Sequence, residues 1–189
     1  MTPLSFMLVA LVECALGSQP RADACATIAD AAGIRGVGAF SNMRYTEEHA
    51  YGYTVMLWRA GDCLVGLFES SEGLAGDTPI GELQNVRYDR RTGTLSFSAK
   101  LTMGLEMRAG IDEPEPSRDL FTFDGRLGSN ALAGIVTHAS GHDPASRRAR
   151  VAVTLRASAA QAESMRGPTT YGEWRDAWKP VLLHRGPKW

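Results

Sequence analysis

The chain has 189 residues, of which 44% are hydrophobic and 22% are charged, fractions that exclude a disordered or collagen-like chain and fit one globular domain. The 20 Lys and Arg residues are balanced by 21 Asp and Glu residues, so no basic surplus attracts nucleic-acid phosphates or anionic lipid. Composition and charge therefore argue against a nucleic-acid partner and predict a single folded domain.

The N-terminal residues 4–16 are almost wholly apolar, and this run is too short to anchor the chain across a bilayer. Small residues precede Ser18 and Cys25, as they do at signal-peptidase cleavage sites. We therefore expect residues 1–24 to be a signal peptide and residues 25–189 to be one secreted or periplasmic domain, with no transmembrane segment left after cleavage. A buried N-terminal helix of a cytosolic protein is the alternative, because no Lys or Arg precedes the apolar run.

Cysteine usage is consistent with secretion. Cleavage removes Cys14 and leaves Cys25 and Cys63, an even pair in an oxidising compartment. We predict a disulfide bond between these two residues, which would stabilise the fold by roughly 3 to 4 kcal/mol in the chain-entropy model. Two buried thiols are one alternative. Lipid attachment at Cys25 is another, although Ala22 stands where a lipoprotein signal has a Leu-like residue.

Short strands separated by turn residues are predicted between residues 36 and 157. Apolar and polar residues alternate most clearly over 94–103, and the same period of two recurs over 121–127 and 151–156. Further segments rich in β-branched and aromatic residues are 39–46, 51–59, 63–69, 80–88 and 131–138. The pattern therefore predicts about eight strands.

The connections between these strands are short. Gly or Asn occurs in 59–63, 89–93 and 126–130, and both residue types accept the positive φ that tight hairpins require. Consecutive strands should pair as a meander, because no helical segment lies between them to carry a parallel crossover. We predict an all-β fold, an antiparallel barrel of about eight strands with a short C-terminal α-helix; a β-sandwich is the alternative.

In strand number and hairpin order the chain resembles the lipocalin and avidin-type calycin barrels. The resemblance implies an interior that is either filled by side chains or wide enough for one small ligand. The lipocalin Gly-x-Trp signature is not met, because the segment 36–40 contains no Trp. No ligand-binding residue of that family is therefore transferred to this chain.

The inward face of the predicted barrel offers candidate ligand-binding residues. If Leu132 and Val136 point inward, a period of two places His138 on the same side near one end of the barrel. We predict that His138 binds a polar ligand group beside tyrosines of other strands. These tyrosines are Tyr51, Tyr53 and Tyr88. The alternative is an imidazole that hydrogen-bonds within the core.

Signals for metal binding and catalysis are weak. His138, His142 and Asp143 have a metal-like spacing, but Gly and Pro around them predict a turn in which the two rings need not converge. Carboxylates in the loops 69–77 and 110–117 have Ser, Gly and Pro neighbours typical of solvated loops. No Gly-x-Ser-x-Gly motif occurs. We predict no metal site, no cofactor and no catalytic residue; the alternative is a hydrolase or metal-dependent enzyme that uses His138 and loop carboxylates.

The C-terminal segment 169–189 is rich in aromatic residues. Thr170 and Glu173 are spaced as a capping box and predict the start of a helix that Pro180 ends or kinks. The aromatic residues of the segment are Tyr171, Trp174, Trp178 and Trp189. The first three recur at helical spacing, and two hypotheses remain open: the stripe packs on the barrel wall, or the tail binds a protein partner.

The function that the sequence favours is that of a secreted, non-catalytic barrel. Its predicted partner is either a small apolar or amphipathic molecule or another protein. A barrel interior with a cavity of several hundred Å³ would favour the small molecule, and a filled interior would favour the protein partner.

Overall fold

The computed structural model of the chain describes residues 25, 27–74, 79–101, 105–106, 110, 112–113, 115–116, 118–141 and 149–185. The predicted signal peptide, residues 1–24, lies outside the described residues. His142, Asp143 and Trp189 lie outside them too, so the structure does not test what was predicted of these residues.

Within the described residues the chain forms eleven β-strands and two α-helices. The strands are β1 (Ile34–Ser41), β2 (Arg44–Tyr45), β3 (His49–Ala60), β4 (Cys63–Leu74), β5 (Ile80–Tyr88), β6 (Thr94–Lys100), β7 (Leu105–Glu106), β8 (Glu115–Pro116), β9 (Asp119–Leu127), β10 (Ala131–Ser140) and β11 (Ala149–Ala157). The helices are α1 (Ala159–Glu163) and α2 (Tyr171–Arg185). The predicted all-β class with a C-terminal helix is therefore confirmed.

Eight of these strands close into an antiparallel barrel. The hydrogen-bonded order is β1-β11-β10-β9-β6-β5-β4-β3, and β3 pairs back with β1 to complete the ring. Strand β2 lies outside the barrel beside β3, and β7 and β8 form a separate two-stranded ladder. Sequence neighbours pair around the ring, as the short connections predicted, and the barrel is the outcome rather than the sandwich.

Tight turns define one end of the barrel, which we name the cysteine end because it contains Cys63. Ala60 pairs directly with Cys63, so the connection between β3 and β4 is only two residues long, and Gly61 there has φ of 58°. Gly93, in the turn between β5 and β6, has φ of 71°. The predicted hairpins at both places are confirmed. The opposite end, which carries the longer connections, is named the loop end.

A disulfide bond joins Cys25 to Cys63 across 38 residues, with a Cα–Cα distance of 5.6 Å. The predicted pairing is confirmed. The bond attaches the segment that precedes β1 to the first residue of β4, at the cysteine end of the barrel.

Side chains from all eight barrel strands fill the interior. The buried members of this cluster are Phe40, Tyr53, Val55, Leu57, Leu64, Phe68, Leu83, Leu95, Phe97, Ala99, Leu101, Phe121, Phe123, Leu132, Val136, Val153 and Leu155. The rings of Phe97 and Phe123 are stacked 5.2 Å apart. Phe123 also covers Gly134, where an added Cβ would lie 2.8 Å from the ring carbon Cζ. The centre of the barrel is therefore packed with protein atoms.

A second apolar layer covers the outside of the barrel wall. Trp58 projects outward from β3, and its ring lies 5.7 Å from that of Trp174 and 6.0 Å from that of Trp178 on α2. The Trp58 indole Nε1 donates a hydrogen bond to the Met165 carbonyl oxygen at 3.3 Å. Strand β3 is therefore buried on both faces where α2 lies over it.

Helix α2 begins at the predicted capping box. The Thr170 Oγ1 accepts a hydrogen bond from the Glu173 backbone at 3.2 Å, and Glu173 Oε2 accepts one from Thr170 N at 3.3 Å. Backbone and side-chain donors of Thr169, with the Thr170 backbone, lower the pKa of Glu173. The helix continues through Pro180 to Arg185, so the proline does not end it. No helix in the described part of the chain is long and apolar enough to cross a bilayer.

Candidate functional site

The four side chains predicted to bind a ligand lie at opposite ends of the barrel. Tyr51, Tyr53 and His138 are at the loop end, and Tyr88 is at the cysteine end. Tyr51 is 47% exposed, whereas Tyr53 belongs to the interior cluster. The structure therefore does not bring the four together into one site, and their ligand-binding role stays a prediction.

His138 lies on the inward face of β10, as the burial of Leu132 and Val136 on the same face requires. Its ring stacks on Phe121 with centroids 4.5 Å apart, and its Nε2 is 2.6 Å from Asp119 Oδ1. This arrangement is the one expected of an imidazole that hydrogen-bonds within the fold. Sequence reasoning missed Asp119. The pairing of β9 with β10 sets His138 opposite Phe121 and so brings Asp119, two residues earlier, close to the imidazole.

The Tyr53 hydroxyl lies in the same region. Its ring is 6.2 Å from that of Phe121, in an edge-on orientation, so Phe121 contacts both Tyr53 and His138. Burial raises the pKa of Tyr53, and the carboxylate of Glu72 adds to the shift. The hydroxyl therefore stays protonated at neutral pH and acts only as a hydrogen-bonding group. Among the described residues no group of three His, Cys, Asp or Glu side chains is placed to hold a metal ion.

A surface cavity of about 350 Å³ lies at the cysteine end. It is lined by Gly33, Ile34, Arg35, Arg59, Gly61 and Arg90. The lining comes from the start of β1, the end of β3 and the turn after β5, and half of the lining residues are arginines. We name this feature the arginine cavity.

The pairing of β1 with β3 brings two of the arginines together. Arg35 is directly opposite Arg59 in the antiparallel register. Directly opposed residues share one face of a sheet, with Cβ atoms about 4.5–5.5 Å apart, and like charges in such a pair destabilise it. Ile34 and Ala60, the next pair along, belong to the outer apolar cluster, so the two arginines project to the inward side.

Arg59 is partly buried and has an aromatic neighbour. Its Cζ lies 5.5 Å from the centre of the Tyr88 ring, within the range of a cation–π contact. Its Nη1 is buried and has no hydrogen-bond partner among the described residues. A buried donor without an acceptor costs about 1–3 kcal/mol, and more on a charged group. The contact with Arg59 places Tyr88, alone of the four predicted ligand residues, beside the arginine cavity.

Arg90 is held at the rim of the cavity by its own hairpin turn. Asp89 closes that turn by accepting hydrogen bonds from Arg91 N at 2.8 Å and Thr92 Oγ1 at 2.9 Å, and these bonds lower the pKa of Asp89. The Arg90 Nη2 donates to Asp62 Oδ1 at 2.9 Å. Both side chains are more than half exposed, so the ion pair contributes at most about 1 kcal/mol.

The arginine cavity therefore carries a net positive charge. Its three guanidinium groups face one carboxylate, that of Asp62, and the difference is two positive charges. Within the described residues neither Arg35 nor Arg59 has an ion-pair partner. The sequence reasoning did not identify these arginines as site residues, because only the pairing of β1 with β3 brings them together.

The aromatic residues of the C-terminal helix pack on the barrel wall. Trp174 is fully buried, and its ring stacks on that of Tyr171 with centroids 5.7 Å apart. Tyr171 and Trp178 are partly buried against the same outer cluster. The role of these residues in binding a protein partner stays a prediction.

Comparison with known proteins finds no relative of this chain. No family model matches the chain, and neither a curated protein nor a solved structure is significantly similar to it. The likeness to calycin barrels thus remains one of strand number and strand order.

Proposed function

We propose that the protein is a secreted, non-catalytic binding barrel of the calycin type, whose small amphipathic ligand binds in the arginine cavity. The observation that carries this proposal is the contrast between a packed interior and an open cavity of about 350 Å³ at one end. Ligand pockets in proteins have volumes of roughly 300–1,000 Å³ and combine apolar walls with a few polar groups. Ile34 is among the residues that line the cavity, and the three arginines supply the polar groups.

Two observations support secretion. The Cys25–Cys63 bond belongs to a class of cross-link that persists in oxidising compartments and is rare in the cytosol. The apolar run at residues 4–16, followed by small residues, has the length and order of a signal peptide.

The chemistry of the cavity favours binding over catalysis. Guanidinium groups stay protonated at any physiological pH, so arginines bind and orient an anion but do not exchange protons with it. The one imidazole predicted to take part in a reaction, that of His138, lies at the loop end with Asp119 as its partner. An enzyme that uses His138 remains the alternative function.

Native mass spectrometry tests the proposal. Gly33 lines the cavity, and a Cβ built there meets no atom within 4 Å, so Gly33→Leu begins a new side chain in open space at the cavity wall. Gly73 is equally open but lies at the loop end of β4, and Gly73→Leu is the matched control. Wild-type protein and the Gly73 variant, purified from the native host, should retain a small molecule that Gly33→Leu loses. Wild-type protein without any retained small molecule, or equal retention by all three proteins, would contradict the proposal.

The packed interior by itself favours a second candidate function, binding of a protein partner, as expected above for a filled barrel. A solid barrel offers its surface and loops for contact instead of an internal cavity. In that case the mass that copurifies with the wild-type protein would be that of a polypeptide, and Gly33→Leu would retain it.

A further inference from the structure

We infer that the arginine cavity is an anion site, in which a carboxylate, sulfate or phosphate group of the ligand binds between Arg35 and Arg59. The inference rests on the proposed function and names the chemical class of its ligand. Three properties of the cavity lead to it: a like-charge pair, a buried donor without an acceptor, and a fixed guanidinium orientation.

The like-charge pair is the first property. Arg35 and Arg59 are directly opposite each other on neighbouring strands, where two positive charges repel. Exposed arginines without a carboxylate partner are common, but Arg59 is partly buried and therefore less well screened by water. Arg175 shows the contrasting arrangement, because both of its terminal nitrogens bind the Asp30 carboxylate, at 2.6 and 3.3 Å. An anion between Arg35 and Arg59 would supply the negative charge that this pair lacks.

The missing acceptor is the second property. A guanidinium group has five N–H donors and no acceptor, so only an oxygen-bearing or similar partner satisfies it. Arg59 Nη1 is buried without such a partner in the described part of the chain. Carboxylate and phosphate groups match the planar fork of arginine and accept two parallel hydrogen bonds from it. Because Nη1 itself is closed to solvent, we expect these oxygens to bind the Arg59 guanidinium from the cavity side.

The fixed orientation is the third property. The ring of Tyr88 lies 5.5 Å from Arg59 Cζ, and Arg90 is held by Asp62 at the rim. Groups that are already oriented lose less conformational freedom when a ligand binds. The chemical class is therefore a small molecule with one multi-oxygen anionic group.

Thermal unfolding in inorganic phosphate tests the inference. Phosphate is compared with chloride at equal ionic strength, so that general screening is the same in both buffers. We expect phosphate to raise the unfolding temperature of the wild-type protein in a saturable way, by about 2–4 °C for each kcal/mol of binding energy. Arg59→Met should show no phosphate-specific rise.

The stability of Arg59→Met in the absence of phosphate is a second test. Without phosphate, Arg59→Met should be at least as stable as the wild type, because removal of the like-charge pair and of the unpaired donor offsets the lost cation–π contact with Tyr88, and a long side chain is kept. Arg35→Gln, a change at an exposed position, should also lose most of the phosphate response. Arg91→Gln is the control: it removes an arginine from the turn that holds Arg90, outside the cavity lining, and should respond like the wild type.

The phosphate and ligand-retention experiments together distinguish a failure of the inference from a failure of the proposed function. A phosphate-induced rise that persists in both Arg59→Met and Arg35→Gln would overturn the inference, as would the absence of any rise in the wild type. If the wild type shows no rise but retains a small molecule that Gly33→Leu loses, the cavity binds a ligand that is not anionic. If the phosphate response depends on Arg59 and no small molecule is retained, the anion site stands and the proposed function fails.

Discussion

Trp174→Ala tests whether helix α2 is an integral part of the fold. Trp174 is 0% exposed and lies between Trp58 on the barrel wall and Tyr171 on its own helix, each ring centroid 5.7 Å away. Truncating a fully buried Trp to Ala costs about 3–5 kcal/mol, from lost burial and the cavity left behind. For a domain of this size one kcal/mol corresponds to about 2–4 °C, so the unfolding temperature should fall by roughly 6–20 °C.

Two further variants make the result specific. Trp178 is only partly buried against the same cluster, so Trp178→Ala should cost less than Trp174→Ala. Trp174 Nε1 is buried without a hydrogen-bond partner among the described residues, so Trp174→Phe removes an unsatisfied donor, worth about 1–3 kcal/mol, while it keeps an aromatic ring. Its net cost should therefore be well below that of the alanine variant.

Urea unfolding followed by far-ultraviolet circular dichroism measures all three variants. The linear extrapolation gives the free energy of unfolding, and an unchanged slope shows that the two-state comparison holds. A Trp174→Ala protein that unfolds at the wild-type urea concentration would refute the packing of α2 on the wall. It would favour a tail that is free to bind a protein partner.

Three other predictions follow from the fold. Reduction of the Cys25–Cys63 bond should lower the free energy of unfolding by about 4 kcal/mol in the chain-entropy model, and urea unfolding with and without reductant measures this; equal midpoints would contradict a stabilising bond. Burial raises the pKa of Glu82, so the folded chain holds the carboxyl proton more tightly than the unfolded chain does. The stability that this proton contributes is present at low pH. It is lost as the pH rises above about 4.3, the value of an unfolded chain, through the folded pKa. Glu82→Gln should therefore unfold at a higher temperature than the wild type at pH 7, with a smaller difference at pH 4; a variant less stable at pH 7 would show that the carboxylate is not strained by burial. Gly134→Ala places a methyl group 2.4 Å from the Asp124 carbonyl oxygen and 2.8 Å from Phe123 Cζ and should cost about 1–3 kcal/mol by thermal unfolding, whereas a neutral result would contradict the close packing of β10 on β9 at this point.

Much of the fold was predictable because one face of most strands meets the packed interior and the other meets water. Strand β6 shows this best: Leu95, Phe97 and Ala99 are buried, and the residues between them are not. The segment 53–58 of β3 gave a weaker signal, because its outward residues are buried as well as its inward ones. Thr54 accepts a hydrogen bond from Gln161 of α1, and Trp58 packs against α2. Only the tertiary positions of the two helices explain that pattern.

Less of the candidate site than of the fold could be predicted from the sequence. The inward direction of His138 followed from its strand, but the meeting of Arg35 and Arg59 depends on an irregularity in the register of β1 with β3 between Gly36 and Gly38. Phe40 pairs with Val55, and a regular ladder from that pair would place Arg35 opposite Ala60. The irregularity moves Arg35 by one residue and sets it against Arg59. No alternation of residue types in the sequence encodes such a shift.

The filled barrel interior is the observation from which the proposed site at one end of the barrel follows. Xenon enters dry apolar cavities in proteins, and methyl NMR spectra recorded under xenon pressure detect it. We predict that the interior methyl groups of Leu95, Val136 and Leu155 show only small shifts, linear in xenon pressure, as packed side chains do. Saturable shifts at these methyl groups would reveal a cavity inside the barrel and would contradict the account.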